Sequence, residues 1–266
     1  MYQTTYHRPS TLDEAAALFA RGSEAKYLAG GHTLIPVMKQ RLASPSDVID
    51  LAGIKDLVGI EASGDTLTIK AATPHYEVAT SAAVQKAIAA VAHLASLIGD
   101  PAVRHRGTIG GSLANNDPAA DYPAAVLALG ATIKTNKRSI AADDFFKGLF
   151  ATALADGEII TAVSFPVPEK AGYAKFPHPA SRFALTGVFV AKTKSGDVRA
   201  AATGASSNGV TRMAAIEAAL KANWSPSALD NVKISPSGLL ADIHGSSDYR
   251  ANLVKVMAQR AVAAAG

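Results

Sequence analysis

Two Gly-Gly pairs in matching surroundings constrain this chain more than any other feature. Ala29-Gly30-Gly31-His32-Thr33-Leu34-Ile35-Pro36 and Thr108-Ile109-Gly110-Gly111-Ser112-Leu113-Ala114 each follow an apolar stretch and lead into residues that read as a helix start. A Gly pair at such a turn lets the backbone reach positive φ and removes the Cβ atoms, so positive φ is expected at Gly111. Successive N–H groups then face one concavity, which suits phosphate oxygens. Two such loops are enough to hold the two phosphates and the sugar chain of one long dinucleotide.

Other nucleotide and catalytic signatures are missing. No G-x-G-x-x-G opens a βα unit and no G-x-x-x-x-G-K-[ST] occurs, which disfavours a Rossmann fold or a P-loop. No G-x-S-x-G is present, which disfavours an α/β-hydrolase. The chain has no cysteine, so it forms no disulfide and holds no thiolate-bound zinc or iron–sulfur cluster. His7, His32, His75, His93, His105, His178 and His244 show no metal-binding spacing. The net charge is +4, and the densest basic run, Arg104-His105-Arg106, is too short for a nucleic-acid stripe. With 266 residues, 48% of them hydrophobic, the chain can bury one large core or two to three smaller ones. Its longest apolar stretch, Ala82 to Ile98, is broken by Gln85, Lys86, His93 and Ser96 and reads as a buried helix, not a membrane span. No signal peptide is visible, and a cytoplasmic location is expected.

Thr11 with Glu14 forms a capping box ahead of a helix that Gly22 closes. Tyr27 to Ala29 reads as a strand, Thr33 to Arg41 as a helix and Asp47 to Leu51 as a strand, an α-β-α-β unit. Leu57 to Glu61 and Thr66 to Ala72 flank a hairpin turn, helices run from His75 to Ile98, and Asp100-Pro101 breaks them. Asp117 reads as an N-cap with Pro118 at the first position of a helix ending near Leu129. A short hairpin spans Thr132 to Ala141, and Glu158 to Phe165 is a strand. Pro166 to Gly172 is the best domain boundary. Beyond it lie a hairpin, Leu185 to Lys192 with Val198 to Gly204, and two helices, Thr211 to Ala222 and Asp248 to Ala264.

Asp117 and Asp121 are spaced to share one face of that helix. Asp117 is expected mainly to cap it, and Asp121 to accept hydrogen bonds from ribose or ribityl hydroxyls. Removing Asp121 is then expected to spare the apoprotein, whereas removing Asp117 costs about 1 kcal/mol. His32, in the first loop, is either a flavin or phosphate contact or a plain loop histidine. Arg104 and Arg106 either complement a pyrophosphate or simply orient the second loop.

These segments together resemble the FAD-binding medium subunit of molybdenum hydroxylases, the family of aerobic carbon monoxide dehydrogenase, xanthine dehydrogenase and bacterial aldehyde and N-heterocycle oxidoreductases. The resemblance includes both Gly loops, Asp117-Pro118-Ala119-Ala120-Asp121, Glu158-Ile159-Ile160, Ala180-Ser181-Arg182 and Ser247-Asp248-Tyr249-Arg250. It implies an α+β chain. A two-subdomain FAD-binding fold of the vanillyl-alcohol-oxidase/PCMH type, residues 1–55 and 56–168, precedes a C-terminal α+β domain of the CO dehydrogenase flavoprotein type, 173–266. It implies FAD contacts at Ala29, Gly30, Gly31, His32, Thr33, Leu34 and Ile35, and at Thr108, Gly110, Gly111 and Ser112. Asp121, with Asp117 near it, matches an acidic contact, Ile98 and Ile160 match apolar walls, and Lys175 or His178 matches a polar contact near the flavin. It also implies a large partner subunit with the molybdopterin cofactor and a small one with two [2Fe-2S] clusters, paired as a dimer of heterotrimers. The Thr132 to Ala141 hairpin is shorter than the family's usual one, and the cysteine-bearing insert of some relatives is absent. A stand-alone flavin oxidoreductase of the vanillyl-alcohol-oxidase type and a non-catalytic nucleotide-binding module are the rival readings.

Overall fold

Short parallel strands begin the computed structural model, which describes residues 1–265. β1 (Thr5–His7), α1 (Leu12–Arg21), β2 (Lys26–Leu28), α2 (Leu34–Lys39) and β3 (Asp47–Asp50) alternate, and β3 lies between β1 and β2. β1 extends the expected α-β-α-β unit. With only three residues and Tyr6 exposed, it carries no apolar run to mark it. Thr11 caps α1 by accepting from the Glu14 N–H, and Ala15 is sealed against Ile49 and Ile54.

The middle layer contains β4 (Ile60–Ser63), β5 (Thr66–Lys70), α3 (His75–Thr80), α4 (Ala82–Ser96), α5 (Pro101–Arg106), α6 (Ile109–Asn115) and α7 (Tyr122–Ala128). It continues with β6 (Thr132–Thr135), β7 (Ser139–Ala141), α8 (Ala142–Phe145), β8 (Phe146–Gly148), β9 (Ala151–Thr152) and β10 (Ile160–Pro166). The five-stranded sheet runs β4-β5-β10-β6-β7, with β10 antiparallel to both β5 and β6. Leu67, Ile69, Ile133, Val163 and Phe165 face the buried sides of α4 and α7. α7 begins at Tyr122, not at Pro118.

β11 (Lys170–Pro177), β12 (Ala184–Lys192), β13 (Val198–Thr203) and β14 (Thr211–Arg212) form an antiparallel sheet, followed by α9 (Ala214–Ala222) and α10 (Ser247–Ala263). The expected hairpin is thus the centre of a four-stranded sheet. β12 is buried on both faces: Val188 and Val190 meet Met257 and Ala261 of α10, while Phe189 and Ala191 join the core of the middle layer. Successive side chains of a strand point to opposite sides, so one strand joins two cores. No described helix is long and apolar enough to cross a membrane.

Candidate functional site

The two Gly loops meet. β2 delivers Ala29 and Gly30 to the start of α2, and Gly31 alone of the four glycines has positive φ, +79°. Gly110 and Gly111 lie in the first turn of α6, where Thr108 is the N-cap and its Oγ1 accepts from the Gly111 N–H at 3.1 Å. The expected positive φ at Gly111 is therefore corrected: a side chain is excluded there by proximity, not by dihedral. A Cβ on Gly30 would lie 2.4 Å from the Arg106 carbonyl oxygen and 2.6 Å from Gly107 Cα. On Gly110 it would lie 2.6 Å from Ala71 Cβ, and on Gly111 3.0 Å from Ala29 Cβ. The glycines let two backbone segments touch. Among the described residues, the N–H groups of Gly30, Gly31, His32 and Thr33 have no protein acceptor.

This seam borders a cleft of about 550 Å³, within the range of small-molecule and cofactor sites. Ala29, Gly30, Gly31, His32, Thr33, Leu34, Ile98, Thr108, Gly110, Gly111, Ser112, Asp117, Asp121 and Ile160 line it. Ile35, Lys175 and His178 do not. Ile35 packs inward beside Leu28 and Met38. His178 turns away to His244, 3.2 Å between ring nitrogens, and accepts from the Ala180 and Ser181 N–H groups.

Asp117 and Asp121 do not share a helix face. Asp117 closes a local turn, accepting from the Ala119 N–H at 2.9 Å, and caps no helix. A Pro at position 118 and an Asp at 121 fit a turn before a helix as well as a helix start. Asp121 is buried and accepts from the Tyr173 hydroxyl at 2.6 Å, while Lys175 Nζ lies 2.9 and 3.2 Å from its two oxygens. Burial pushes the Asp121 carboxyl up, against the opposing pull of the Lys175 ammonium and the Tyr173 hydroxyl. Burial likewise raises the Tyr173 hydroxyl, with the Asp121 charge adding to it. Lys175 therefore acts on the cleft wall through Asp121. The C-terminal sheet fixes the same segment: Thr203 Oγ1 donates to the Pro118 and Ala120 carbonyls at 2.9 and 2.7 Å, and the Gly204 N–H donates to Pro118 at 2.7 Å.

Leu154, Ile159 and Ile160 add an apolar stretch to the cleft lining, beside Glu158. Its carboxylate takes two hydrogen bonds from Arg138, both 3.0 Å, one from Thr135 at 2.7 Å and one from the Ala155 N–H at 2.8 Å. The Arg138 hydrogen bonds are the largest of the effects that hold its pKa down at about 2. An acid whose folded pKa is depressed stabilises the fold above its unfolded pKa and loses that contribution as pH falls through the folded one. Arg138 is 51% exposed, so solvent screens the pair and reduces what it contributes. The thermal midpoint of Glu158→Gln should lie below that of wild type at pH 7, and the gap should close between about pH 4.5 and pH 2. A gap of the same size at pH 2 and pH 7 would refute this account.

Sequence reasoning missed several lining residues: Leu57, Ala71, His75, Val103, Gly107, Leu154, Ile159 and Phe183. Most are single apolar residues brought in by distant elements. Arg106-Gly107 carried a usable signal, a glycine just before the second loop.

The chain from residue 2 to 168 matches the family described as FAD binding domain in molybdopterin dehydrogenase. This chain belongs to that family, the FAD-binding medium subunits of molybdenum-containing oxidoreductases. It is 36% identical to the carbon monoxide dehydrogenase medium chain of Afipia carboxidovorans over 97% of this chain and 94% of that one. It is 35% identical to the nicotine 6-hydroxylase medium subunit of Paenarthrobacter nicotinovorans, over 98% and 96%. The reconstituted CO dehydrogenase from Oligotropha carboxidovorans superposes with a TM-score of 0.90 at 33% identity, over 99% and 97% of the chains. The free N–H groups of the first loop, the Cβ-free seam and the apolar walls fit an FAD, whose phosphates need donors and whose ring needs a dry bed.

Proposed function

We propose that this chain is the electron-transfer subunit of a cytoplasmic molybdenum hydroxylase and binds one FAD, non-covalently, in the cleft between its Gly loops. The observation that carries the reading is the packed seam of Gly30, Gly107 and Gly111, with unclaimed N–H groups beside it and apolar residues in the same cleft lining. FAD supplies the exchange between one- and two-electron steps. The chain's own residues position it: the N–H groups from Gly30 to Thr33 donate to phosphate oxygens, Ile98, Ile159 and Ile160 keep water from the ring, and Asp121 offers its remaining lone pairs to hydroxyls. No side chain serves as acid, base or nucleophile. Residues 1–55 and 56–168 form the two FAD subdomains, and 173–266 the C-terminal domain. Electrons come from [2Fe-2S] clusters on a small partner, substrate is oxidised on a large molybdopterin-bearing partner, and two such trimers pair.

Expressed by itself, the chain should carry FAD that acid releases completely into the supernatant, and it should contain no iron or molybdenum. It should turn over no aldehyde, purine or carbon monoxide. Adding the two partner chains should restore substrate-dependent dye reduction. Turnover by the isolated, metal-free chain would replace this reading with the stand-alone oxidoreductase.

A further inference from the structure

The surroundings of His75 are unusual for a structural histidine. His75 is the first residue of α3, buried, and it lines the cleft. Its backbone N–H donates to the Gly107 carbonyl at 2.9 Å, tying it to the start of the second Gly loop. Its Nδ1 is fully enclosed with no hydrogen-bond partner among the described residues. Its Nε2 lies against Gly107, only 2.6 Å from where a Cβ on that residue would stand. Gly107 Cα in turn lies 2.6 Å from where a Cβ on Gly30 would stand. The ring thus reaches the seam one glycine away from the unclaimed N–H groups of the first loop.

The proton's position follows from the neighbours. Burial, with the nearby His32 and Arg104 charges adding to it, pushes the pKa down to about 3, so the ring is neutral at physiological pH. A neutral imidazole has one N–H and one lone pair. Tyr122 packs on the ring at 5.3 Å between centroids, and its hydroxyl is also enclosed without a partner. Nδ1 is without a partner in either tautomer, whereas Nε2 is not enclosed and borders the cleft, where an N–H can find an acceptor. The proton therefore belongs on Nε2, the nitrogen at the seam.

We propose that His75 is an additional cofactor-binding residue, its Nε2–H donating a hydrogen bond to a pyrophosphate oxygen of the dinucleotide held at the Gly30–Gly107 seam. The assignment rests on reading the cleft as the FAD site. An uncharged donor complements the loop's N–H groups without adding a buried charge.

The test titrates the full-length apoprotein with FAD by flavin fluorescence, and with ADP as a competitor that has the pyrophosphate but no flavin. His75→Phe, which fills the space without a donor, should weaken both ligands by a similar factor of about tenfold. His75→Gln, whose amide N–H reaches toward the same place, should stay within about threefold of wild type. With 15N-labelled histidine, the wild-type His75 signals should show a proton on Nε2, and that signal should move when FAD is removed. Affinities unchanged in His75→Phe, or loss of FAD with ADP unaffected, would overturn the pyrophosphate contact. If His75→Phe does not fold, the labelled wild type decides: a proton on Nδ1, or an Nε2 signal indifferent to FAD, overturns it. A wild-type chain that binds no FAD at all removes the cleft reading and this role with it.

Discussion

Gly30→Val should empty the site. A branched side chain there must enter space held by the Arg106 carbonyl and Gly107 Cα, 2.4 and 2.6 Å from its first carbon. Both are backbone atoms, so no rotamer change relieves the contact and the loops must separate. Overpacking of this kind costs about 1–3 kcal/mol. Because the displaced segments carry the proposed phosphate donors, most of that cost should fall on the holoprotein, and FAD affinity should drop by roughly a hundredfold. Flavin per chain and the apoprotein's thermal midpoint separate the two effects. Gly31→Ala is a useful comparison: its φ of +79° makes any side chain strained, but the nearest obstacle is the flexible end of Ile35. Its loss should be smaller. Wild-type flavin content in Gly30→Val would show that the seam is not the cradle.

Asp121→Ala should be the most destabilising change in the cleft wall. It strands the Lys175 ammonium and the Tyr173 hydroxyl, whose side chains are almost fully enclosed. Breaking a buried ion pair from one side costs about 3–5 kcal/mol. This reverses the sequence-based expectation that Asp121 is dispensable to the apoprotein. Asp117→Ala, which loses one local hydrogen bond to Ala119, should cost less than 1 kcal/mol. Replacing Lys175 as well, in Asp121→Ala/Lys175→Met, should recover much of the stability because no unpaired charge remains. If the double variant regains stability but not FAD affinity, Asp121 touches the cofactor as well as bracing the wall. Chemical denaturation of the apoprotein is the measurement, and an Asp121→Ala variant as stable as wild type would refute the buried-pair account.

The legible parts of this chain were those with short-range signals. Thr11 with Glu14 marks α1, the turn at Ala62-Ser63-Gly64-Asp65 marks the β4–β5 hairpin, and both glycine pairs mark the seam. At Gly111 the expected positive φ gives way to a close contact with Ala29, because a dihedral requirement and a contact requirement leave the same letter in the sequence. The Asp117–Asp121 segment differs from expectation for a related reason: the i, i+4 spacing predicts a shared face only if the residues between are helical, and here they are not. The Asp121–Lys175 pair spans 54 residues, and no local pattern reports such a partner. β11 was missed because Lys170, Gly172 and Lys175 interrupt its apolar run. Gly172 sits where α10 crosses so closely that a Cβ would overlap the Ala261 carbonyl.

The cofactor-binding family match stops at residue 168, yet the Asp117–Asp121 wall is fastened by Tyr173, Lys175, Thr203 and Gly204 from beyond that point. The two halves of the chain are therefore poor building blocks for exchange. A hybrid of two medium subunits spliced near residue 168 would inherit a cleft wall from one parent and its fasteners from the other. Matching the wall to its fasteners therefore means keeping both sides of the splice from one parent.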